Sequence, residues 1–231
     1  MLEDIFKANI PHYNLNNTLP VARPGLIFIV IGLAVTLLAW LLCFDVAAFI
    51  FLLLTLFTIY FFRDPNRPTP PEGFGLSPCD GQVIRIQGDA LCPISGRRSI
   101  KVSVFMNLFS VHVNRLPVSG RLVSQEYHAG KFLNASFDKA SDSNERNALL
   151  IEASDGTQIT VVQIAGLIAR RVVSWVKVGQ DLTRGERFGM IRFGSRVDLY
   201  LPEDSQIMVA LGQKVSAGWS PIWRNAAKSG R

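Results

Sequence analysis

The chain offers little on which metal or disulfide chemistry could be built: it has three cysteines and three histidines in 231 residues. Cys43 lies inside an apolar run, and Cys79 and Cys92 lack the spacing of a zinc site. An odd cysteine count without repeats gives no disulfide framework and agrees with a reducing compartment. Charge is scarce too, 18% of residues against 48% hydrophobic, which excludes a disordered, highly charged chain. No internal repeat, low-complexity tract, zinc-finger spacing or aromatic RNA-binding signature is present, so nothing points to nucleic acid.

What is abundant is apolar sequence, and it is concentrated. From Gly25 to Phe62 the only charge is Asp45, which divides the run into Gly25–Phe44 and Val46–Phe62. Spans of about 17–20 apolar residues suit a bilayer core, so the run reads as two helices with a tight turn near Cys43–Val46, either transmembrane or re-entrant. A pair of buried core helices is the alternative. A cleaved signal peptide is excluded, because 24 mixed residues precede the run and the passable cleavage site Val46-Ala47-Ala48 leads into more apolar sequence. Arg23 on one side and Arg63 and Arg67 on the other place both ends in the cytoplasm by the positive-inside rule. Residues 63–231 carry 22 Lys and Arg against 15 Asp and Glu, a net of +7, which suits an anionic membrane surface.

A proline-dense linker, Asp64 to Pro71, follows and reads as extended and stiff. Beyond it the pattern changes to short alternating runs. Strands are expected at Gln82–Gln87, Ser99–Met106, Arg121–Tyr127, Ala148–Ala153, Thr157–Ile164, Val172–Val178, Arg187–Phe193, Arg196–Leu201 and Gln206–Ala210, with Phe132–Ser141 a short helix or loop. Ser154-Asp155-Gly156 is a hairpin turn signal. The expected fold is therefore mostly β, a compact antiparallel sheet or barrel-like domain, with an N-terminal α-helical membrane hairpin. The expected divisions are an N-terminal segment 1–24, the hairpin 25–62, a linker 63–72 and the β domain 73–231.

One serine stands out. From Met190 to Leu201 the odd positions read Ile, Phe, Ser, Val, Leu, Leu, a core face with Ser195 as its one polar member. Gly194 before it marks a bulge or a close backbone approach. A buried hydroxyl is either satisfied at such a bulge or kept for a purpose.

Five blocks occur in order: Ser77-Pro78-Cys79-Asp80-Gly81, Phe105–Pro117 with Val111-His112-Val113-Asn114-Arg115, Gly130-Lys131-Phe132-Leu133-Asn134, Asn144-Glu145-Arg146-Asn147, and Phe193-Gly194-Ser195. Together they resemble phosphatidylserine decarboxylase, the short prokaryotic pyruvoyl-dependent proenzyme, from about Phe61 to Val215. The resemblance implies self-cleavage between Gly194 and Ser195, giving a large β chain of residues 1–194 and a small α chain, Ser195–Arg231. Ser195 would become the pyruvoyl group, with no metal. Its carbonyl would form a Schiff base with the serine headgroup of phosphatidylserine, yielding phosphatidylethanolamine and carbon dioxide. His112 matches the family's histidine block and would transfer protons, whereas His12 and His128 carry no implied role.

Longer relatives have a second histidine where this chain has Arg115. Either His112 serves both steps or another base assists cleavage. Asp80 would support cleavage or simply open a strand through an Asp-Gly turn. Arg115, Lys131 and Arg146 are candidate cations for the lipid phosphate, and Arg170-Arg171 for headgroups. The implied partners are phosphatidylserine, an anionic membrane and the two chains of one precursor, with homo-oligomers open. Whether the lipid is a diacyl or an archaeal ether type is also open. The competing reading is a membrane-tethered lipoyl- or biotinyl-like carrier, suggested by the turn grammar of Val178–Glu186 but lacking a lysine at the hairpin tip.

Overall fold

The computed structural model describes residues 20–130, 144–166, 172–192 and 194–225. These fall into two compact units that divide between Asn66 and Arg67. The first is a helical hairpin of α1 (Arg23–Leu41) and α2 (Asp45–Phe61). Both helices arise from unbroken apolar sequence, with Pro24 at the start of α1, where its missing N–H costs nothing. Asp45, the sole charge of the run, sits in the first turn of α2 and faces the positive end of that helix dipole. Cys43 makes the reversal with φ of +59°.

Gly32 lets the helices approach, since a Cβ there would fall 2.5 Å from Thr55 Oγ1. Gly25 and Ala39 of α1, fourteen residues apart, and Ala48 and Thr55 of α2, seven apart, are buried, while most of the large apolar side chains face outward. Thr36, Thr55 and Thr58 return their hydroxyls to the carbonyls of Gly32, Phe51 and Leu54. At 19 residues, α1 is about 28 Å long, close to a bilayer's hydrocarbon thickness. By length and composition, α1 alone among the described helices can cross a membrane; α2 is slightly shorter.

The second unit is the expected antiparallel β domain. Its strands are β1 (Gly75–Leu76), β2 (Gly81–Leu91), β3 (Arg98–Met106), β4 (Val113–Arg115), β5 (Gly120–His128), β6 (Arg146–Glu152), β7 (Gln158–Ile164), β8 (Val172–Ser174), β9 (Asp181–Leu182), β10 (Arg187–Ile191), β11 (Ser195–Leu201), β12 (Ser205–Ile207), β13 (Lys214–Val215) and β14 (Pro221–Asn225). An eight-stranded sheet runs β13-β2-β3-β11-β7-β6-β5-β9, beside two three-stranded sheets, β4-β10-β8 and β1-β14-β12. All nine expected strands are present. The five others have two to five residues, too short for an alternation to register. Ser154-Asp155-Gly156 turns β6 into β7, with Gly156 at φ +79° and Thr157 N–H donating to Asp155 Oδ1.

Alternation builds the core: Val102, Val104 and Met106 of β3 lie beside Val197, Leu199 and Leu201 of β11, with Ile159, Val161, Leu149, Ile151 and Leu122 beyond. The other face of the sheet is covered as well. Register shifts in β2 accompany a bend that brings Ala90, with Cys92 just beyond, against Ala148, Val162, Ile164 and Tyr200.

On that face Arg196 and Asp198 are buried as an ion pair, Nε to Oδ1 at 2.8 Å and Nη2 to Oδ2 at 3.0 Å, with Lys101 Nζ 3.5 Å away. The even positions of this strand thus read as polar in sequence yet lie inside, because each charge carries its counter-charge within the sheet. The linker is strapped to the domain. Arg67 pairs with Asp80 and donates to Ala217 O, and Arg184 donates to the carbonyls of Pro70 and Phe74.

Replacing Asp198 with Asn leaves two buried cations beside a neutral amide. Removing one partner of such a cluster costs about 3–5 kcal/mol. The Asp198→Asn protein is expected to melt about 10 °C below the parent in a thermal unfolding scan.

Candidate active site

Cross-strand registers define one end of the large sheet. Val215 faces Gly81, Gln82 faces Phe105, Met106 faces Ser195, Arg196 faces Ile164, and Arg146 lies between Ile164 and His128. Adjoining this row are Asp80, the loop after Met106 that leads to His112, Gly194, and Asn144-Glu145. Four of the five blocks, far apart in sequence, therefore meet at one sheet end. Of the fifth, Gly130 follows His128, while Lys131 and the rest of that block lie outside the described residues, as do Phe193, Arg170, Arg171 and His12.

Ser195 is the first residue of β11 and is 0% exposed, and its Oγ has no hydrogen-bond partner among the described residues. Leaving a buried hydroxyl unsatisfied costs about 1–3 kcal/mol; Ser103, Ser174 and Ser205 have the same lack, and what sets Ser195 apart is the left-handed Gly194 immediately before it. Gly194 holds φ of +55°, the left-handed region, and a Cβ there would meet nothing within 4 Å. Backbone conformation, then, rather than lack of space, calls for glycine. The kink stands immediately before a central strand, so the peptide bond next to the orphaned hydroxyl lies just outside the ladder.

His112 is fully buried, and its carbonyl accepts a hydrogen bond from Ile191 N–H at 3.3 Å, which ties it to the strand leading into Gly194. Two residues on, Asn114 joins a row of amides missed in the sequence. Gln125 donates to Asn147 at 3.0 Å, Asn147 to Gln163 at 3.0 Å, Gln163 to Asn114 at 2.8 Å, and Asn114 Nδ2 reaches Met106 Sδ at 3.8 Å. This row ties β4, which follows His112, to the sheet that carries Ser195. Its signal was available: Gln163 interrupts the apolar run Val161–Ile164 as Ser195 interrupts its own. Gly189 leaves room for it, since a Cβ there would lie 2.8 Å from Gln163 Nε2.

The remaining expected residues are spread around this end. Asp80 pairs with Arg67 at 2.5 and 2.8 Å and accepts from Ala217 N–H at 2.8 Å. Arg115 is 6% exposed and donates to Gly185 O, so it lies beneath the surface rather than on it. Arg146 is partly open, and His128, half exposed, lies 3.6 Å from Glu126. Cys79 is wholly buried; burial, then the nearby Asp80 and Asp198 carboxylates, pushes its thiol well above the usual range, so it is no nucleophile. No cluster of metal-ligating side chains occurs among the described residues. The arrangement presents an unshared hydroxyl beside a kinked peptide, screened from bulk water. It suits an attack by Ser195 Oγ on the carbonyl of Gly194, and so fits a serine-derived carbonyl group at this position.

Known proteins resemble the chain along most of its length. The family model for phosphatidylserine decarboxylase matches residues 54–222. A phosphatidylserine decarboxylase proenzyme of Syntrophus aciditrophicus is 50% identical over 204 residues, 87% of this chain and 96% of the relative. That of Paraburkholderia phymatum is 50% identical over 198 residues, 85% and 93% of the two chains. That of Solidesulfovibrio magneticus is 50% identical over 207 residues, 89% and 96%. The matched span takes in every strand at the sheet end and all five blocks, and the chain belongs to the phosphatidylserine decarboxylase family.

Proposed function

We propose that this chain is a self-processing, pyruvoyl-dependent enzyme that converts phosphatidylserine to phosphatidylethanolamine and carbon dioxide at the cytoplasmic face of a membrane. The observation that carries the reading is the buried, unpartnered Ser195 hydroxyl beside the left-handed Gly194, at the sheet end where the blocks converge.

In processing, Ser195 Oγ adds to the Gly194 carbonyl carbon, the C–N bond breaks as the ester forms, and the proton passes to the amide nitrogen. Loss of the Ser195 Cα proton then expels the Gly194 carboxylate, and water releases ammonia from the dehydroalanine. His112 or another base takes the proton, and Asp80, held by Arg67 and Ala217, keeps the start of β2 in place. The small chain stays bound because β11 pairs with β3 and β7 on both edges.

The pyruvoyl carbonyl supplies an electron sink for the pair left behind when carbon dioxide departs. His112 returns a proton to the headgroup carbon that lost the carboxylate. Arg146 and Lys131 are the candidate cations for the lipid phosphate, with Arg115 supporting the turn at Gly185. The apolar hairpin keeps the β domain with its insoluble substrate, and Arg23 and Arg63 at its two ends favour the cytoplasmic side.

Intact-mass measurement of the purified protein is expected to give two species divided between Gly194 and Ser195, the smaller blocked to Edman sequencing. Ser195→Ala should give a single 25.6 kDa chain without decarboxylase activity. Turnover by that variant would exclude a pyruvoyl group. Gly194→Ala adds a left-handed penalty of roughly 1–2 kcal/mol without a clash, so cleavage in a time course should slow by about tenfold.

A further inference from the structure

The amides that cross the core all point one way. Gln125 Nε2 donates to Asn147 Oδ1, Asn147 Nδ2 to Gln163 Oε1, and Gln163 Nε2 to Asn114 Oδ1. Turning one of them over would set nitrogen against nitrogen or oxygen against oxygen, so the row shares a single direction. Hydrogen bonds in series polarise one another, which sharpens the donor at the far end. That donor is Asn114 Nδ2, and it is spent on a thioether, Met106 Sδ at 3.8 Å, a weak acceptor. Asn114, Gln163 and Met106 are all fully buried, so the donor faces no bulk solvent. Met106 is the cross-strand partner of Ser195, on the same core face. Asn114 itself pairs with Gly189 of β10, the strand that leads toward Gly194. Its amide is therefore held both from the strand before the Gly194–Ser195 bond and from the partner of the strand after it.

We propose that Asn114 is a catalytic residue of self-processing, whose Nδ2–H stabilises the oxyanion formed at the Gly194 carbonyl oxygen. The inference rests on the self-processing reading above and deepens it by naming the donor. As Ser195 Oγ bonds to the Gly194 carbonyl carbon, the carbonyl π pair moves onto the oxygen, and Asn114 Nδ2–H passes from Met106 Sδ to that oxygen. The pair then returns to re-form the carbonyl, the C–N bond breaks, and the Oγ proton ends on the Ser195 nitrogen, leaving the ester. Asn114 lends a hydrogen bond and keeps its proton. A neutral carbonyl gains little from this contact and a full negative charge gains much, so the contact favours the transition state over the ground state. The row fixes the amide beforehand, and a thioether gives the donor up more readily than a carbonyl or carboxylate would.

The test times the cut by intact mass in full-length precursor, made by cell-free translation with phosphatidylcholine–phosphatidylglycerol vesicles and followed after translation stops. Asn114→Asp keeps the side chain's shape and its acceptor for Gln163, but when ionised it has no proton to donate toward Met106. Removing one oxyanion donor slows acyl-transfer chemistry about 100- to 1000-fold, and that slowing is expected at pH 8. As pH falls and the new carboxyl gains a proton, it can donate again, so its rate relative to the parent should climb. A lost packing contact would leave that ratio flat. Gln163→Glu is the companion variant, and it decides the matter alone if Asn114→Asp does not fold. It leaves Asn114 in place but offers its amide a carboxylate, which turns the donor away from Met106, and cleavage at pH 8 should slow at least about tenfold. Parental cleavage by either folded variant, or a slowed Asn114→Asp whose ratio stays flat, overturns the proposal and leaves the enzyme reading intact. A parent chain that never cleaves overturns both.

Discussion

The pairing of β11 between β3 and β7 is the interaction on which the rest depends. A central strand is held by ladders on both edges and by side chains on both faces, and β11 is buried along its whole length. Such a strand is expensive to distort, so its first residue is placed by the sheet rather than by a loop. Ser195 inherits that precision, with its hydroxyl on the core face opposite Met106. The unsatisfied Oγ is tolerated because the ladder over-determines the position, and glycine takes the left-handed turn before it without steric cost.

The second sheet is bound to the first by the same logic. β4 and β10 pair with one another, so His112 and the approach to Gly194 move together. The amide row from Gln125 to Asn114 crosses from the large sheet to β4 inside the core. Asn147, Gln163 and Asn114 each both accept and donate, so breaking a link between them leaves buried groups unsatisfied, which makes the row cooperative. It fixes the strand after His112 relative to the strand of Ser195, whereas apolar packing alone would allow sliding. Asp80 serves a comparable end at the far side of β3, tying the linker, β2 and the turn at Ala217 to one carboxylate.

Much of this was legible in the sequence. Uninterrupted apolar length announced the hairpin, and period-two alternation announced each long strand. Ser195 was visible because a hydroxyl on an apolar face breaks a pattern. The burial of Arg196 and Asp198 was not visible, since a charge compensated two residues away reads like any solvated pair. Arg115 is a further case: its type suggests a surface cation, but its place on β4 under the turn at Gly218 turns the guanidinium inward to Gly185. The short strands β1, β9 and β13 carry no period at all, and their pairing is decided by partners distant in the chain. No local rule places Met106 opposite Ser195; only register does.

Register also explains where a backbone cut can be tolerated. Cutting within β3 or β7 would release half a ladder on each side, whereas the Gly194–Ser195 bond lies just before the first pair of β11. The segment beginning at Ser195 supplies β11, β12, β13 and β14, which pair respectively with β3 and β7, with β14, with β2, and with β1 and β12. A break at Ser195 therefore opens a connection and leaves every strand partnered. The same position that isolates the bond from the ladder also puts it at the sheet end shared by His112, Asp80 and Arg146. In the proposed reaction, the need for a cut that spares the fold and the need for a site that reaches a membrane lipid are met by one choice, starting a central strand with the reactive serine.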